Sequence, residues 1–256
     1  MIASQHALPT PDSTRRRIYL MRHGAVKYFD EKGLAVLNPD TVALTEHDVA
    51  QAQAAGAAFA QAGIYFDKVV CSDLLRTQQT AGHVQDALAA AGLHVVQPIH
   101  NARLQELKGG RLADIPAGHE RQAFLGAFDG VVQEAAQFLG GETIGQLLDR
   151  VLPEIDALRA DQTWDVCLLV LHGGVNRAVL SYLLTGQRTF LGGIAQATAC
   201  INAIDVGEHI EDTVLRLMNY SPLDVLQTST RKTTMEHLLD QFLRLKSLLA
   251  APAHVR

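Results

Sequence analysis

The sequence predicts an α/β protein, a three-layer sandwich in which a mostly parallel central sheet is flanked by helices. Two very apolar runs, RIYLM over 17–21 and DVCLLVL over 165–171, are typical of strands buried on both faces. Alanine-rich and glutamine-rich stretches with helical periodicity separate the apolar runs. Strands that alternate with helices in this way indicate a parallel sheet covered on both sides.

The predicted elements follow one another along the chain. The segment 1–16 is polar and contains proline, which predicts a disordered tail. Strands are predicted at 17–21, 66–71, within 94–104, at 165–171, 199–206 and 213–219, and helices at 45–62, 73–91, near 119–139, at 142–159, 174–184 and 234–249. Thr45 is the expected N-cap of the first helix, and Thr233 with Glu236 fits a capping box before the last.

One domain is expected over 17–256. Its segment 109–141 carries GG, IP, GH and DG pairs, which predicts an irregular insertion over the active-site rim. The final helix, 234–249, has leucine and phenylalanine at helical spacing. Its apolar face is expected to dock on its own domain, and the alternative is a helix that builds a homodimer.

Composition excludes several classes of protein. The 256 residues carry a net charge of −5, and 48% are hydrophobic, so the chain is neither disordered nor typical of nucleic-acid binders. No apolar run reaches the roughly 18 residues of a membrane span, and the N-terminus lacks the apolar stretch of a secretory signal. The three cysteines form no CxxC pair and are expected to be buried, reduced thiols, which suits the cytoplasm.

Three predicted strands end in residues that suit a phosphate group. The first ends in Arg22-His23-Gly24, the second is followed by Arg76, and the fourth ends in His172-Gly173-Gly174. Carboxyl ends of parallel strands meet at one edge of a sheet, where ligands bind. Arginine forks, imidazoles and free N–H groups at a helix start suit a tetrahedral dianion. A glycine directly after each histidine lets the backbone, at Gly173 for example, approach the ligand closely.

The residues at these positions resemble the motifs of the histidine phosphatase superfamily, the phosphoglycerate-mutase-like proteins. The similar segments are LMRHG over 20–24, LTEHDVAQA over 44–52, SDLLRTQQTA over 72–81, LQE over 104–106 with Gly110, GET over 141–143 with RV over 150–151, and LVLHGG over 169–174. Together they cover about residues 17–222, in the order that the family shows.

The resemblance implies a role for each matched residue. His23 would be the nucleophile that forms a transient phosphohistidine, and Glu106 would be the proton donor to the leaving group. The phosphoryl oxygens would be held by Arg22, Arg76 and His172. These cationic and hydrogen-bonding groups would screen the phosphoryl charge, so neither a metal nor a cofactor is expected.

The sequence also departs from the family pattern. Val26 stands where many members have Ser or Thr, Asp48 replaces a glycine, and the segment 107–114 lacks the usual EG pair. The long Trp/Asn-rich segment that follows this motif in the true mutases is missing, and the chain's one tryptophan is Trp164. A mutase must keep water from its phosphohistidine, so the shorter segment favours a phosphatase.

The sequence therefore predicts a metal-independent phosphomonoesterase that acts on a small phosphorylated metabolite. A cofactor-dependent phosphoglycerate-type mutase and a non-catalytic phospho-ligand binder on the same fold are the alternatives. The expected partner is a small-molecule phosphomonoester, with no nucleic acid and no membrane. The candidates to read the rest of the substrate, or to be solvated surface groups instead, are Lys27, Tyr28, Lys108, Arg111, His119 and Arg121.

Overall fold

A six-stranded sheet forms the centre of the protein in a computed structural model, which describes residues 14–24 and 39–250. The strands are β1 (Arg16–Arg22), β2 (Lys68–Cys71), β3 (Ile99–His100), β4 (Val166–Leu171), β5 (Ile201–Val206) and β6 (Thr213–Tyr220). Their order across the sheet is β3-β2-β4-β1-β5-β6. The first four of these run parallel, β5 is antiparallel to β1, and β6 is antiparallel to β5. The predicted α/β class with a mostly parallel sheet is confirmed.

Helices cover the sheet and its carboxyl edge. Their bounds are α1 (Glu46–Gln61), α2 (Leu75–Ala90), α3 (Glu120–Leu125), α4 (Ile144–Ala160), α5 (Gly173–Thr185) and α6 (Thr234–Ala250). Within the two described ranges, no helix is long and apolar enough to cross a bilayer.

The side chains of β1 show why the sheet is covered on both faces. Ile18 and Leu20 belong to one hydrophobic cluster, which α4 and α5 complete. Tyr19 and Met21 point to the other face and join a second cluster with α1 and α2. Successive residues of a strand point to opposite faces, so an uninterrupted apolar run needs two covering layers.

The pairing register brings the strand ends together. Arg22 at the end of β1 lies opposite Leu171 at the end of β4. Cys71 at the end of β2 lies opposite Val170. The residues that follow these three strands therefore leave the sheet side by side at one edge.

The segment 109–141 is less helical than predicted. A helix was expected near 119–139, but α3 covers only Glu120–Leu125, followed by one 3₁₀ turn over Gly126–Phe128. Gly130 then adopts a positive φ of 62°, and Val131 and Gln137 form isolated β-bridges instead. The helix thus ends at Leu125, and the turn at the DG pair keeps the following residues from continuing it.

The N-terminal boundary is also earlier than expected. β1 begins at Arg16, inside the segment predicted to be a tail. The Arg16 guanidinium lies over the ring of Trp164, 4.3 Å from its centroid, and Arg15 forms an ion pair with Asp212. Residues 1–13 lie outside the described residues, so the tail itself stays a prediction.

The C-terminal helix α6 packs against α3 of the same chain. The rings of Phe124 and Phe242 are 5.3 Å apart, and Leu239 is buried. The predicted capping box is present: Thr233 N donates to Glu236 Oε2 (2.7 Å), and Glu236 N donates to Thr233 Oγ1 (3.2 Å). α6 thus docks on its own domain, while a homodimer stays a prediction.

Two helix glycines give opposite expectations for stability. A Cβ added at Gly56 in α1 would lie 2.7 Å from Ala87 Cβ and 3.0 Å from Val84 Cα in α2, whereas one added at Gly82 would meet nothing within 4 Å. Gly56→Ala should lower the free energy of unfolding by about 1–3 kcal/mol because it forces the helices apart. Gly82→Ala should raise it by up to about 1 kcal/mol, since alanine is the better helix former. Urea unfolding measures both changes, and equal shifts would contradict the close approach of α1 and α2.

Candidate active site

The predicted site residues meet at the carboxyl edge of the sheet, around the first turn of α5. His23 and His172 follow β1 and β4, and their ring centroids are 5.1 Å apart. Arg22 and Arg76 are buried. Glu106 reaches the same turn from the loop after β3, because its carboxylate accepts a hydrogen bond from Gly174 N.

His23 is held as a neutral imidazole that carries its hydrogen on Nδ1 and its lone pair on Nε2. Its backbone N donates to Leu171 O (3.0 Å), and its O accepts from Ala199 N (3.1 Å). Its Nδ1 contacts the carbonyl of Gly24, which only accepts, so Nδ1 carries the hydrogen. Burial and the neighbouring guanidinium groups of Arg76 and Arg22 hold the pKa of His23 well below its usual value. Nε2 is therefore the nitrogen able to act as a nucleophile.

His172 is buried and has one ring nitrogen to offer a ligand. Its Nε2 lies 2.7 Å from Ser72 Oγ, which in turn lies 2.8 Å from Thr77 Oγ1. Its Nδ1 is buried and has no hydrogen-bond partner among the described residues. Burial, and then His23 and the arginines Arg76 and Arg22, lower the pKa of His172 as well.

Arg22 is held by protein acceptors on one side only. Its Nη1 donates to Gln196 O (2.6 Å) and to Thr234 Oγ1 (2.9 Å). Its Nε is buried and lacks a hydrogen-bond partner within the part of the chain that the structure describes. A Cβ added at Gly173 would lie 3.5 Å from this Nε, so the guanidinium faces the start of α5. A side chain at Gly173 would occupy that space.

Glu106 is held on the other side of the same turn. Its Oε1 and Oε2 accept from Gly174 N (3.0 and 3.1 Å), and Oε1 also accepts from Leu107 N (3.0 Å). A Cβ added at Gly174 would lie 2.6 Å from Oε1, so only glycine allows this approach. The pair of glycines after His172 thus serves two different neighbours, Arg22 and Glu106.

Arg150 of α4 clamps the backbone that carries Glu106. Its guanidinium donates to the carbonyls of Arg103 (2.8 Å), Gln105 (2.6 Å) and Glu106 (3.1 Å). Its other donors go to Glu142 Oε1 (2.7 Å) and Oε2 (2.9 Å), so all five N–H groups have acceptors. Burial opposes the charge of Glu142, but the bonds from Arg150 and Lys108 N outweigh it and lower the pKa of the carboxyl. Arg150 is therefore a positioning residue for Glu106.

Asp48, which stands where the family motif has glycine, is buried and structural. Its Oδ2 accepts from Thr45 N (3.1 Å) and contacts the Thr45 hydroxyl, so Thr45 is the N-cap of α1, as predicted. A Cβ added at Gly24 would lie 2.8 Å from Asp48 O. The glycine after His23 therefore lets α1 approach the end of β1.

Several supporting residues carry no motif that would have revealed them. Gln196 and Thr234 orient Arg22, although neither is near it in sequence. Gln196 is held in a buried amide network, in which its Oε1 accepts from Asn176 Nδ2 (2.9 Å) and Asn202 Nδ2 (3.0 Å). Such contacts between distant segments leave no local pattern in a sequence.

The predicted substrate readers lie outside this buried centre. Lys108, Arg111, His119 and Arg121 are exposed. Lys27 and Tyr28, like Val26, fall outside the described residues. Within 14–24 and 39–250, no three His, Cys, Asp or Glu side chains form a group that could hold a metal ion.

Comparisons with known proteins agree with the fold described above. The model of the histidine phosphatase superfamily (branch 1) matches residues 18–220, so the chain belongs to this family. That membership supports its assignment to the phosphoric monoester hydrolases. No curated protein sequence matches the chain.

Solved structures share the fold at low sequence identity. An alpha-ribazole phosphatase from Shigella flexneri is 23% identical with a TM-score of 0.58, and the match covers 79% of this chain and 96% of that one. A mycobacterial glucosyl-3-phosphoglycerate phosphatase, solved with inorganic phosphate, is 24% identical with a TM-score of 0.59, over 81% and 98% of the two chains.

The Arg150 clamp predicts a leaving-group effect. If Glu106 is the proton donor to the leaving group, as the resemblance implies, Arg150→Met should misplace it and slow the hydrolysis of alkyl phosphates, whose alkoxide needs a proton, by roughly 10- to 100-fold. Hydrolysis of p-nitrophenyl phosphate should fall much less, because its phenolate leaves without a proton. Steady-state rates on both substrates give the ratio of alkyl phosphate to p-nitrophenyl phosphate hydrolysis. Partial unfolding lowers both rates equally and does not alter this ratio.

Arg188→Met is the matched control for the Arg150 variant. Arg188 also holds a carboxylate, Glu134, through two N–H groups (2.8 and 2.9 Å), but it bonds no carbonyl of the Glu106 segment. Its ratio should equal that of the wild type. An Arg150→Met enzyme that loses both activities equally would contradict the clamp.

The two buried histidines should make stability depend on pH. Their pKa values are lowered in the folded protein, so below about pH 6.5 the unfolded chain binds more protons. The free energy of unfolding should therefore be highest above that pH and should fall as the pH decreases below it. Between about pH 7.5 and about pH 5.5 each histidine should lower the free energy of unfolding by at most about 1.4 kcal/mol. Urea unfolding of wild type and of the His23→Asn/His172→Asn variant tests this, and an identical pH dependence of the two proteins would refute it.

Proposed function

We propose that this protein is a metal-independent phosphomonoesterase that hydrolyses a small phosphorylated metabolite through a phosphohistidine at His23. One observation carries the proposal. The ring of His23, whose Nδ1 contacts Gly24 O, lies with its centroid 5.1 Å from that of His172, and two buried groups, His172 Nδ1 and Arg22 Nε, lack hydrogen-bond partners among the described residues. Buried groups of this kind cost stability unless a ligand satisfies them, and a phosphate oxygen accepts from both.

The first step transfers the phosphoryl group to the enzyme. Nε2 of His23 attacks phosphorus, and the bond from phosphorus to the ester oxygen breaks. Arg22, Arg76 and His172 balance the charge on the equatorial oxygens. The leaving oxygen takes a proton from Glu106, which the backbone holds at the start of α5.

The second step releases inorganic phosphate. Glu106, now a carboxylate, takes a proton from water as the water oxygen attacks phosphorus. The phosphorus–nitrogen bond breaks, and its electron pair returns to Nε2. The carbonyl of Gly24 keeps the hydrogen on Nδ1 and stabilises the positive charge that the ring carries while phosphorylated.

The substrate is proposed to be a small phosphomonoester. Two proteins of similar fold are named as phosphatases of alpha-ribazole phosphate and of glucosyl-3-phosphoglycerate, which supports hydrolysis of a phosphorylated metabolite. The exposed Lys108 and Arg111, in the segment after Glu106, would favour a second anionic group in that metabolite.

A cytoplasmic location is part of the same proposal. Cys71, Cys167 and Cys200 are free and buried, and burial raises the pKa of each thiol, to about 12 for Cys71 and Cys167 and to about 11 for Cys200. Inert, reduced thiols suit a reducing compartment.

Phosphate release in EDTA tests the proposal. Wild type should release phosphate from at least one member of a phosphomonoester panel, and His23→Ala should lose about a thousandfold or more of that rate. His209→Ala is the control, since His209 is exposed and follows β5 at the opposite edge of the sheet. ³²P labelling that is trapped in acid-quenched wild type and is absent from His23→Ala would identify the intermediate.

Other outcomes would point to the alternatives. Isomerisation of 3-phosphoglycerate with a trace of bisphosphoglycerate, without release of phosphate, would make the protein a mutase. Phosphate binding without turnover of any panel member would make it a phospho-ligand binder. Activity that EDTA abolishes would overturn the metal-independent route.

A further inference from the structure

We propose that Thr234, the first residue of the C-terminal helix α6, is a positioning residue for Arg22 and thereby sets the affinity of the site for phosphate. This inference rests on the proposed function and deepens it. Thr234 lies beyond residue 220, where the match to the family model ends. The contact therefore adds a residue from outside the matched domain to the phosphate site.

The argument starts from the hydrogen bonds of the Arg22 guanidinium. Nη1 has two hydrogens, and they go to Gln196 O (2.6 Å) and Thr234 Oγ1 (2.9 Å). Both hydrogens of Nη1 are therefore donated to acceptors within the protein. The remaining Nε–Nη2 edge is the fork that binds two oxygens of a phosphate.

Two fixed acceptors determine the direction of that edge. With Gln196 O alone, the guanidinium could turn about its one bond. The second acceptor from α6 fixes the plane, so that Nε faces the start of α5, 3.5 Å from the position of a Cβ at Gly173. A fork held in place before the ligand arrives loses little freedom on binding.

Helix α6 is itself anchored well enough to serve as such a support. The Thr233–Glu236 capping box fixes its first turn, directly at Thr234. Further along, Phe242 packs on Phe124 of α3, and Lys246 forms an ion pair with Glu120. α6 therefore connects Arg22 with the insertion that begins after Glu106.

The test compares Thr234→Val with Thr234→Ser, and uses inorganic phosphate as the probe. Valine keeps the shape but accepts no hydrogen bond, so the dissociation constant for phosphate, measured by ³¹P NMR, should rise roughly tenfold. Serine keeps Oγ and should stay within about twofold of wild type. With a phosphomonoester substrate, the loss should appear mainly in KM and be rescued by serine in the same way.

A double-mutant cycle separates positioning of Arg22 from a general effect of α6. In an Arg22→Met background, Thr234→Val should change phosphate affinity no further, because the group it positions is gone. Equal effects in both backgrounds, or no effect of Thr234→Val in the wild type, would overturn the inference. Because the readout is equilibrium binding, a wild type that binds phosphate without hydrolysing it would refute the proposed function and leave this test valid.

Discussion

The parallel pairing of β1 with β4 is the constraint on which the site depends. With Arg22 opposite Leu171, the two strands end in step, and His23 and His172 leave the sheet as neighbours. A shift of one residue would turn every side chain of β1 to the other face and separate the two rings. The two hydrophobic clusters prevent that shift, because each buries alternate side chains of the same strand. The apolar core therefore also fixes the geometry of the polar edge.

The site concentrates positive charge and keeps its histidines neutral. Burial and the guanidinium groups lower the pKa of both imidazoles, which leaves a lone pair on the ring of His23, the proposed nucleophile. Arg177 adds to this field. It is buried on α5, donates to Gly173 O and Gly192 O (both 2.9 Å), and lies over the ring of Phe128. Burial and its neighbour Arg22 lower the pKa of Arg177 to about 10. A dianion is the ligand that such a surrounding favours.

The sequence predicted what depends on local pattern and missed what depends on distant contacts. Apolar runs and helix caps located the strands and helices, and residues at strand ends indicated the histidines and arginines, because parallel strands end at one edge. The helix expected near 119–139 ends at Leu125, and the turn with positive φ at Gly130 further on does not let it resume. Gln196 and Thr234 could not be found from the sequence, since they contact Arg22 from segments far along the chain. The sequence indicated that the glycines after His172 allow a close approach. That they approach two different residues, Arg22 and Glu106, was found only from the structure.

Two buried donors of the site affect more than catalysis. Among the described residues, His172 Nδ1 and Arg22 Nε have no hydrogen-bond partner, and an unsatisfied buried donor opposes folding unless a ligand accepts from it. A ligand that binds only the folded state shifts the folding equilibrium towards it. Phosphate, the proposed product, is therefore expected to stabilise the folded chain. Thermal stabilities measured in phosphate buffer and in buffers without phosphate would then describe different states of ligation.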